Sequence, residues 1–311
     1  MKNETQKILS LISDIDIKSN PELFKDSAYN IREDCSSITR HSTKNVKIEN
    51  LSDKSGISIT VAPNTLNEAI YIPACITKSG INDLVYNDFY IGENSDITIV
   101  AGCGIHSDGH EDSMHNGIHT FRLSKNAKVL YIEKHIGTGN SISKKEINPV
   151  TNIFLNEGAS FEIDSVQIGG VTNSERKTFV DMKEESNLLI RERIMTDNNE
   201  NAKSEFTVNI NGENAKVNLV SRSVAKGESI QTFNSEIIGA AKCTGHSECD
   251  GIIVDNGQIS ATPSLIAKTP EAALIHEAAI GKIAGEQLIK LMSLGLTEKE
   301  AESTIIKGFL K

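Results

Sequence analysis

A loose repeat of about thirty residues constrains what this chain can fold into more than any other feature. Taking the turn residues Asn94, Asn126, Gly158, Glu185 and Asn214 as anchors, an apolar pair stands three and five places after each one. The pairs are Ile97/Ile99, Val129/Tyr131, Phe161/Ile163, Leu188/Ile190 and Val217/Leu219, and successive anchors lie 32, 32, 27 and 29 residues apart. Side chains two residues apart share one face of a strand, so each unit reads as a strand with one buried face. A single unit cannot bury that face alone, whereas stacked coils can, which is the logic of a β-solenoid. Short strands at such intervals also fit a β-sandwich. No helical periodicity of any length occurs between Val46 and Thr269, which argues against an α/β enzyme fold.

The two ends differ from the middle. Residues 2–13 carry Ile8, Leu9, Leu11 and Ile12 on a helical stripe, with Pro21 soon after, and predict a short N-terminal helix. Near the other end, Leu288, Leu291 and Met292 have helical spacing and Gly295 stands where a helix-terminating glycine belongs. Thr297 and Glu300 form a capping-box pattern that starts a second helix through Ile305, Ile306 and Phe309. The expected division is an N-terminal helical segment over 1–45, a β core over 46–276 and a C-terminal helical hairpin over 277–311, all within one domain.

Composition narrows the partners. The formal net charge of −10 speaks against nucleic acid or anionic lipid, and 5% aromatics with no Trp leaves few platforms for stacking bases. No run approaches the ~20 apolar residues of a membrane span, and Met1 to Asn20 lacks the apolar core of a signal peptide. A cytosolic location is expected. Five scattered cysteines, Cys35, Cys75, Cys103, Cys243 and Cys249, do not read as a disulfide framework.

Several nucleotide and protease signatures are missing. There is no GxxxxGK[ST], so no P-loop, and His276-Glu277-Ala278-Ala279-Ile280 lacks the second His of a zinc protease motif. Three features remain. In Cys243-Thr-Gly-His246-Ser-Glu-Cys249-Asp250 the two thiols would lie about 20 Å apart on one extended strand, at ~3.3 Å per residue. Cys249 precedes Asp250-Gly251, which places it at a strand edge near solvent, where a thiolate is usable; burial in the core is the alternative. His276-Glu277, just after the alternating run Ala273-Leu274-Ile275, reads by itself as a surface or hydrogen-bonding pair. Finally, Cys103, His106, Asp108, His110 and His115, with His119 behind, put four of the eight histidines within fourteen residues. On an extended segment His106, Asp108 and His110 share a face, the start of an N/O metal site or an iron-entry route. A solvated polar loop is the other reading.

The last sixty residues resemble the SufB/SufD family of iron–sulfur cluster assembly proteins. The stretches that carry the resemblance are Ser247-Glu-Cys249-Asp250-Gly251, Ala261-Thr-Pro263, Leu274 through Ile283, Glu286-Gln287-Leu288, Leu291 through Leu296, Glu300-Ala301 and Gly308-Phe309. The resemblance extends from about residue 46 to the end. It implies a right-handed parallel β-helix flanked by helices, and a dimer whose subunits each carry a SufC-like ABC-type ATPase on the C-terminal helices. Leu291, Leu294, Leu296, Ile305 and Phe309 are then the expected docking residues. The resemblance also implies that Cys249 and Glu277 are the functional pair holding a transient iron–sulfur cluster, with His276 beside them. SufD-like members carry a Cys two places before that His; Leu274 stands there, so the chain is SufB-like. The long N-terminal region of full-size SufB has no counterpart in residues 1–45, which points to a homodimer in place of a SufB/SufD pair.

Ligand chemistry agrees with this role. One thiolate with oxygen or nitrogen ligands attaches a cluster more weakly than four cysteines, as a scaffold that must release its cargo requires. The scaffold itself is expected to be non-catalytic, with ATP hydrolysis in the partner and with sulfur donors, iron donors and apo-protein acceptors as further partners. Two alternatives stay open. One is a structural adaptor of the ATPase that holds no metal. The other is a β-helix carbohydrate-active enzyme using Asp108, Glu111 and Asp112.

Overall fold

The computed structural model describes residues 8–9, 27–140 and 142–311. Two antiparallel hairpins come first, β1 (Ala28–Glu33) with β2 (Ser36–His41), and β3 (Val46–Asn50) with β4 (Gly56–Val61). The coils follow as β5 (Leu66–Ile76), β6 (Asn82–Ile91), β7 (Asp96–Ser107), β8 (Ser113–Leu123), β9 (Lys128–Gly139), β10 (Lys145–Ile147) and β11 (Val150–Leu155). They continue as β12 (Ser160–Ile168), β13 (Asn173–Met182), β14 (Asn187–Thr196), β15 (Asn201–Ile210), β16 (Lys216–Ala225), β17 (Ile230–Gly239), β18 (Cys243–Ile253), β19 (Gln258–Ala267) and β20 (Ala272–Lys282).

From β4 onward successive strands alternate between two sheets, except that β10 and β11 both lie in the second. The first sheet runs β2-β1-β5-β7-β9-β12-β14-β16-β18-β20 and the second β19-β17-β15-β13-β10-β8-β6-β4-β3, with β11 between β8 and β13. Apart from the two hairpins, every pairing among the described strands is parallel. The chain is therefore a β-solenoid, as the repeat predicts.

The anchors of the repeat are its corners. Asn94, Asn126, Glu185 and Asn214 all adopt left-handed backbone, with φ of 56°, 57°, 56° and 59°, and Gly158 joins them at 65°. Asn and Gly tolerate that conformation best, which explains their recurrence. The Asn126 amide also donates to Asn94 Oδ1 at 3.2 Å, one coil to the next. After each corner the apolar pairs stack in register: Ile97, Val129, Phe161, Leu188 and Val217 form one inward row, and Ile99, Tyr131, Ile163, Ile190 and Leu219 the next. Phe89 and Phe121 stack with ring centroids 4.2 Å apart, and Phe121 meets Phe161 edge-on at 4.9 Å. Each such buried ring contributes about 2–3 kcal/mol through burial, so the rows close the core coil by coil.

Two boundaries differ from expectation. The segment 1–45 is not wholly helical, because β1 and β2 occupy most of 28–41 and open the first sheet. Of the helix expected over 2–13 only Ile8 and Leu9 lie within the described residues; both are helical, and Ile8 packs on Cys75 with Leu9 and Ile136 alongside. At the other end β20 runs to Lys282, past the expected limit at residue 276, because its inward positions still pair with β18.

The helices α1 (Gly285–Ser293) and α2 (Glu298–Phe309) form the expected hairpin. The capping box is complete: Glu300 N–H donates to Thr297 Oγ1, and the Thr297 N–H donates to the Glu300 carboxylate at 2.8 Å. Arg222 on β16 donates to the Phe309 carbonyl at 3.1 Å, and Lys226 pairs with Glu302 at 3.2 Å, so α2 is tied to the first sheet. No helix among the described residues is long and apolar enough to cross a membrane.

Candidate functional site: the last coils

The inward rows turn from apolar to polar next to Ile99 and its stack. One row reads Ala101, Glu133, Ser165, Glu192, Ser221, Cys249 and Ala278, each in register with the next. Arg176 on the second sheet reaches across to this row. It donates to Glu133 Oε2 at 2.6 Å and lies 3.4 Å from Glu192 Oε1. Ser204 and Ser221 donate to the two oxygens of Glu192 at 2.7 and 3.0 Å. Burial alone pushes the Glu133 carboxyl up, but Arg176 and His135 hold it well below the usual range. Burial raises Glu192, with Arg176 pulling the other way. A line of buried polar groups thus runs along the solenoid axis and ends at Cys249. Sequence reasoning missed it, although Glu133, Glu192 and Arg176 stand in phase with inward apolar neighbours, which was the available signal.

Cys249 itself corrects an expectation. It is not near solvent at a strand edge but inside β18, with 0% exposure. The alternation along β18 turns it inward with Cys243, Gly245 and Ser247. Burial pushes its thiol up to about 12, with the charges of Glu192 and Asp250 adding to the shift. In the closed solenoid it is a neutral thiol.

His276 lies on the same inner face, in register with Ser247, and its Nδ1 is 3.1 Å from the Ser247 carbonyl oxygen. Glu277 points the other way. It stands in register with Glu248 on the outer face of the first sheet, its side chain 68% exposed, with Oε2 3.5 Å from His246 Nε2. Cys249 and Glu277 are therefore one strand apart but separated by the sheet. Among the described residues, the one group of three or more His, Cys, Asp or Glu ligand atoms that converge within 4.8 Å is His246, Glu248 and Glu277. His246 and Glu248 were not singled out as ligands from the sequence.

The histidine-rich segment is split by the fold. Cys103 and His115 turn inward and are buried, whereas His106, Asp108 and His110 do not. His106 binds Thr138 Oγ1 through Nδ1 at 3.0 Å and lies 3.3 Å from Asp108, while Asp108 and His110 belong to the turn beyond β7. The expected shared face of His106, Asp108 and His110 is absent because β7 ends at Ser107. The inward members open instead onto a cavity of about 420 Å³ lined by Arg32, Cys103, His115, His119, Glu133 and His135. His115 Nδ1 meets Asp83 Oδ2 at 3.2 Å, and Arg32 forks onto the same carboxylate. Burial opposes ionisation of Asp83, yet Arg32 and His115 hold its carboxyl far below its ordinary value. Burial lowers His119 to about 4, so that ring is neutral at physiological pH.

The expected docking residues also divide. Leu294 is 80% exposed and, with Ile289 and Met292, leaves an apolar strip on α1 uncovered. Leu291, Leu296 and Ile305 are half-buried within the hairpin, and Phe309 faces the solenoid under Arg222. Beyond the site, β19 and β20 are the edge strands of the two sheets at the C-terminal end of the described solenoid, and Ile266, Ile275 and Ile280 are exposed there.

Residues 85–309 match the family model for the SUF system FeS cluster assembly SufBD core domain. The chain is 31% identical over 261 residues to an iron–sulfur cluster assembly SufBD family protein of Archaeoglobus fulgidus, covering 83% of this chain and 69% of that one. SufBD family proteins of Methanothermobacter thermautotrophicus and Methanocaldococcus jannaschii are each 29% identical, over 78% and 76% of this chain. The chain spans 59% of the Methanothermobacter protein and 74% of the Methanocaldococcus one. With the matched domain covering the solenoid coils that carry Cys249 and the hairpin that follows them, the chain belongs to the SufBD family of iron–sulfur cluster assembly proteins.

Proposed function

We propose that this protein is a non-catalytic scaffold on which an iron–sulfur cluster is built and then released, working in the cytosol as a homodimer with an ABC-type ATPase. The observation that carries the reading is the position of Cys249 one strand in from the open end of the solenoid, with Glu277 and His276 on the terminal strand. A single thiolate cannot retain a cluster, and Glu277 and His276 on the terminal strand offer oxygen and nitrogen, which attach iron weakly. The remaining ligands come from a second copy packed against the same end. Two unpaired sheet edges with exposed Ile266, Ile275 and Ile280 favour that end as the contact, because bare edges invite strand pairing.

The ATPase docks on the uncovered strip of α1. Its force reaches the site along a short path: α2 is bonded to Arg222, Arg222 is in register with Asp250, and Asp250 follows Cys249. Pulling on the hairpin loosens the last coil and brings the Cys249 sulfur out of the core, where it loses its proton and accepts iron.

Anaerobic reconstitution with ferrous iron and sulfide, followed by native mass spectrometry, tests the proposal. A cluster carried by a dimer of this chain is expected. Tight binding of the ATPase without any uptake of iron would identify an adaptor instead.

A further inference from the structure

We propose that His246, Glu248 and Glu277 form a loading site for ferrous iron on the outer face of the first sheet, on the far side of the sheet from Cys249. The inference rests on the scaffold reading, and it gives Glu277 partners other than the thiol. On β18 the alternation sends His246 and Glu248 outward while Ser247 and Cys249 turn inward. Parallel pairing then sets Glu277 directly beside Glu248.

Three observations point to a cation there. The imidazole Nε2 and one oxygen from each carboxylate already lie within 4.8 Å of one another, so little side-chain movement brings them onto one ion. Like charges in register on adjacent strands repel, and among the described residues neither carboxylate pairs with a Lys or Arg. A dication converts that repulsion into attraction. His246 is also oriented for ligation. Its Nδ1 lies 3.1 Å from Asn218 Oδ1, an acceptor that holds the proton on Nδ1 when a cation takes Nε2, the nitrogen that faces Glu277. An outer hydrogen bond of this kind is how proteins fix the tautomer of a metal-binding His.

The donor set explains what the ion would do. One nitrogen and two carboxylates suit a divalent first-row metal, and the absence of thiolate from the set keeps attachment labile. The Glu277 side chain is open to solvent, so waters complete the coordination and exchange readily. Iron held here lies across the first sheet from the Cys249 sulfur, on the other face of the same strand, and reaches it once the last coil opens. Iron remains Fe(II) throughout the transfer: water and carboxylate oxygens leave it as the Cys249 thiolate binds, and the thiol proton passes to solvent water.

The test is an anaerobic titration of the intact chain with ferrous iron alone, without sulfide, read as bound iron per chain. Wild type and Cys249→Ser should bind with equal affinity. His246→Ala and Glu248→Gln should each weaken binding by about tenfold or more, and Asn218→Ala by about tenfold, the usual cost of losing an orienting partner. Circular dichroism of each variant checks that the coils remain folded. Unchanged affinity in His246→Ala and Glu248→Gln, or no binding by the wild type, would overturn the proposal. If clusters never form on any chain while this pattern of iron binding persists, the scaffold reading fails and the site stands.

Discussion

Cys249 and Glu277 occupy neighbouring strands of one sheet with their side chains on opposite faces. Cys249 stands in register with Ala278, and Glu277 with Glu248, so a single residue of offset places the thiol inside the solenoid and the carboxylate outside it. In the closed fold the two cannot ligate one iron atom. Their cooperation therefore requires opening of the last coil, a second copy of the chain, or both.

Thiol labelling should report that closure. Cys35 is exposed, whereas Cys75, Cys103, Cys243 and Cys249 are buried. Burial also pushes the Cys249 thiol up to about 12, so almost none is thiolate near neutral pH. Native protein should lose one thiol rapidly to an alkylating reagent and the other four only as the fold opens. Mass-resolved labelling in the presence of the ATPase and ATP should accelerate modification of Cys249 above all. Rapid labelling of Cys249 in the isolated chain would contradict the closed arrangement.

Arg176 holds two buried carboxylates, at 2.6 Å from Glu133 and 3.4 Å from Glu192. Arg176→Met leaves both acids without their cation in the core. Breaking a buried pair in this way costs about 3–5 kcal/mol, to be read as a lowered midpoint in urea unfolding. A loss below about 1 kcal/mol would mean that water already reaches the polar row.

The repeat was legible because its physical cause is local. Asn94, Asn126 and Asn214 mark corners that need left-handed backbone, and the apolar pair after each corner follows from period-2 burial. The C-terminal hairpin was legible for the same reason, through Thr297, Glu300 and Gly295. Strands β1 and β2 were not, because their sequences, AYNIRE and SSITRH, lack clean alternation and are held by pairing to each other and to β5. The site was half legible. The motif around Cys249 and Glu277 stood out, but which face each side chain takes depends on register between strands far apart in sequence. His246 and Glu248 become partners of Glu277 only through that register.

Glu185 is the odd corner. Its φ of 56° matches that of the Asn corners, yet Glu gains nothing from the left-handed region. Glu185→Asn should stabilise the protein by about 0.5–1 kcal/mol, and Glu185→Gly by a comparable amount offset in part by unfolded-state entropy. A rise in melting temperature for Glu185→Asn checks this; a fall would mean that the Glu185 side chain has a stabilising role.

The pH dependence carries a signature of His119. Burial lowers its pKa from 6.5 to about 4, so the unfolded chain takes up a proton that the folded chain refuses. Stability should therefore decline as pH falls from about 6.5 to about 4 and level off below that. The full effect is ~3 kcal/mol. Asp83 and Glu133 are shifted down instead, so their contribution is lost only at lower pH, below the ordinary carboxylate range. His119→Gln should make the upper limb of the stability profile shallower, with the remainder due to His135, which burial also lowers, and leave the lower limb unchanged. An unchanged slope between pH 6.5 and 4 would show that His119 is not the group responsible.

The most direct test of the account compares wild type with Cys249→Ser in anaerobic reconstitution with iron and sulfide, read by visible absorption and by iron and sulfide analysis. The scaffold reading predicts an air-sensitive chromophore in the wild type that is lost in the serine variant while the fold is retained. A cluster of undiminished stoichiometry in Cys249→Ser, or none in the wild type with the ATPase present, would contradict it.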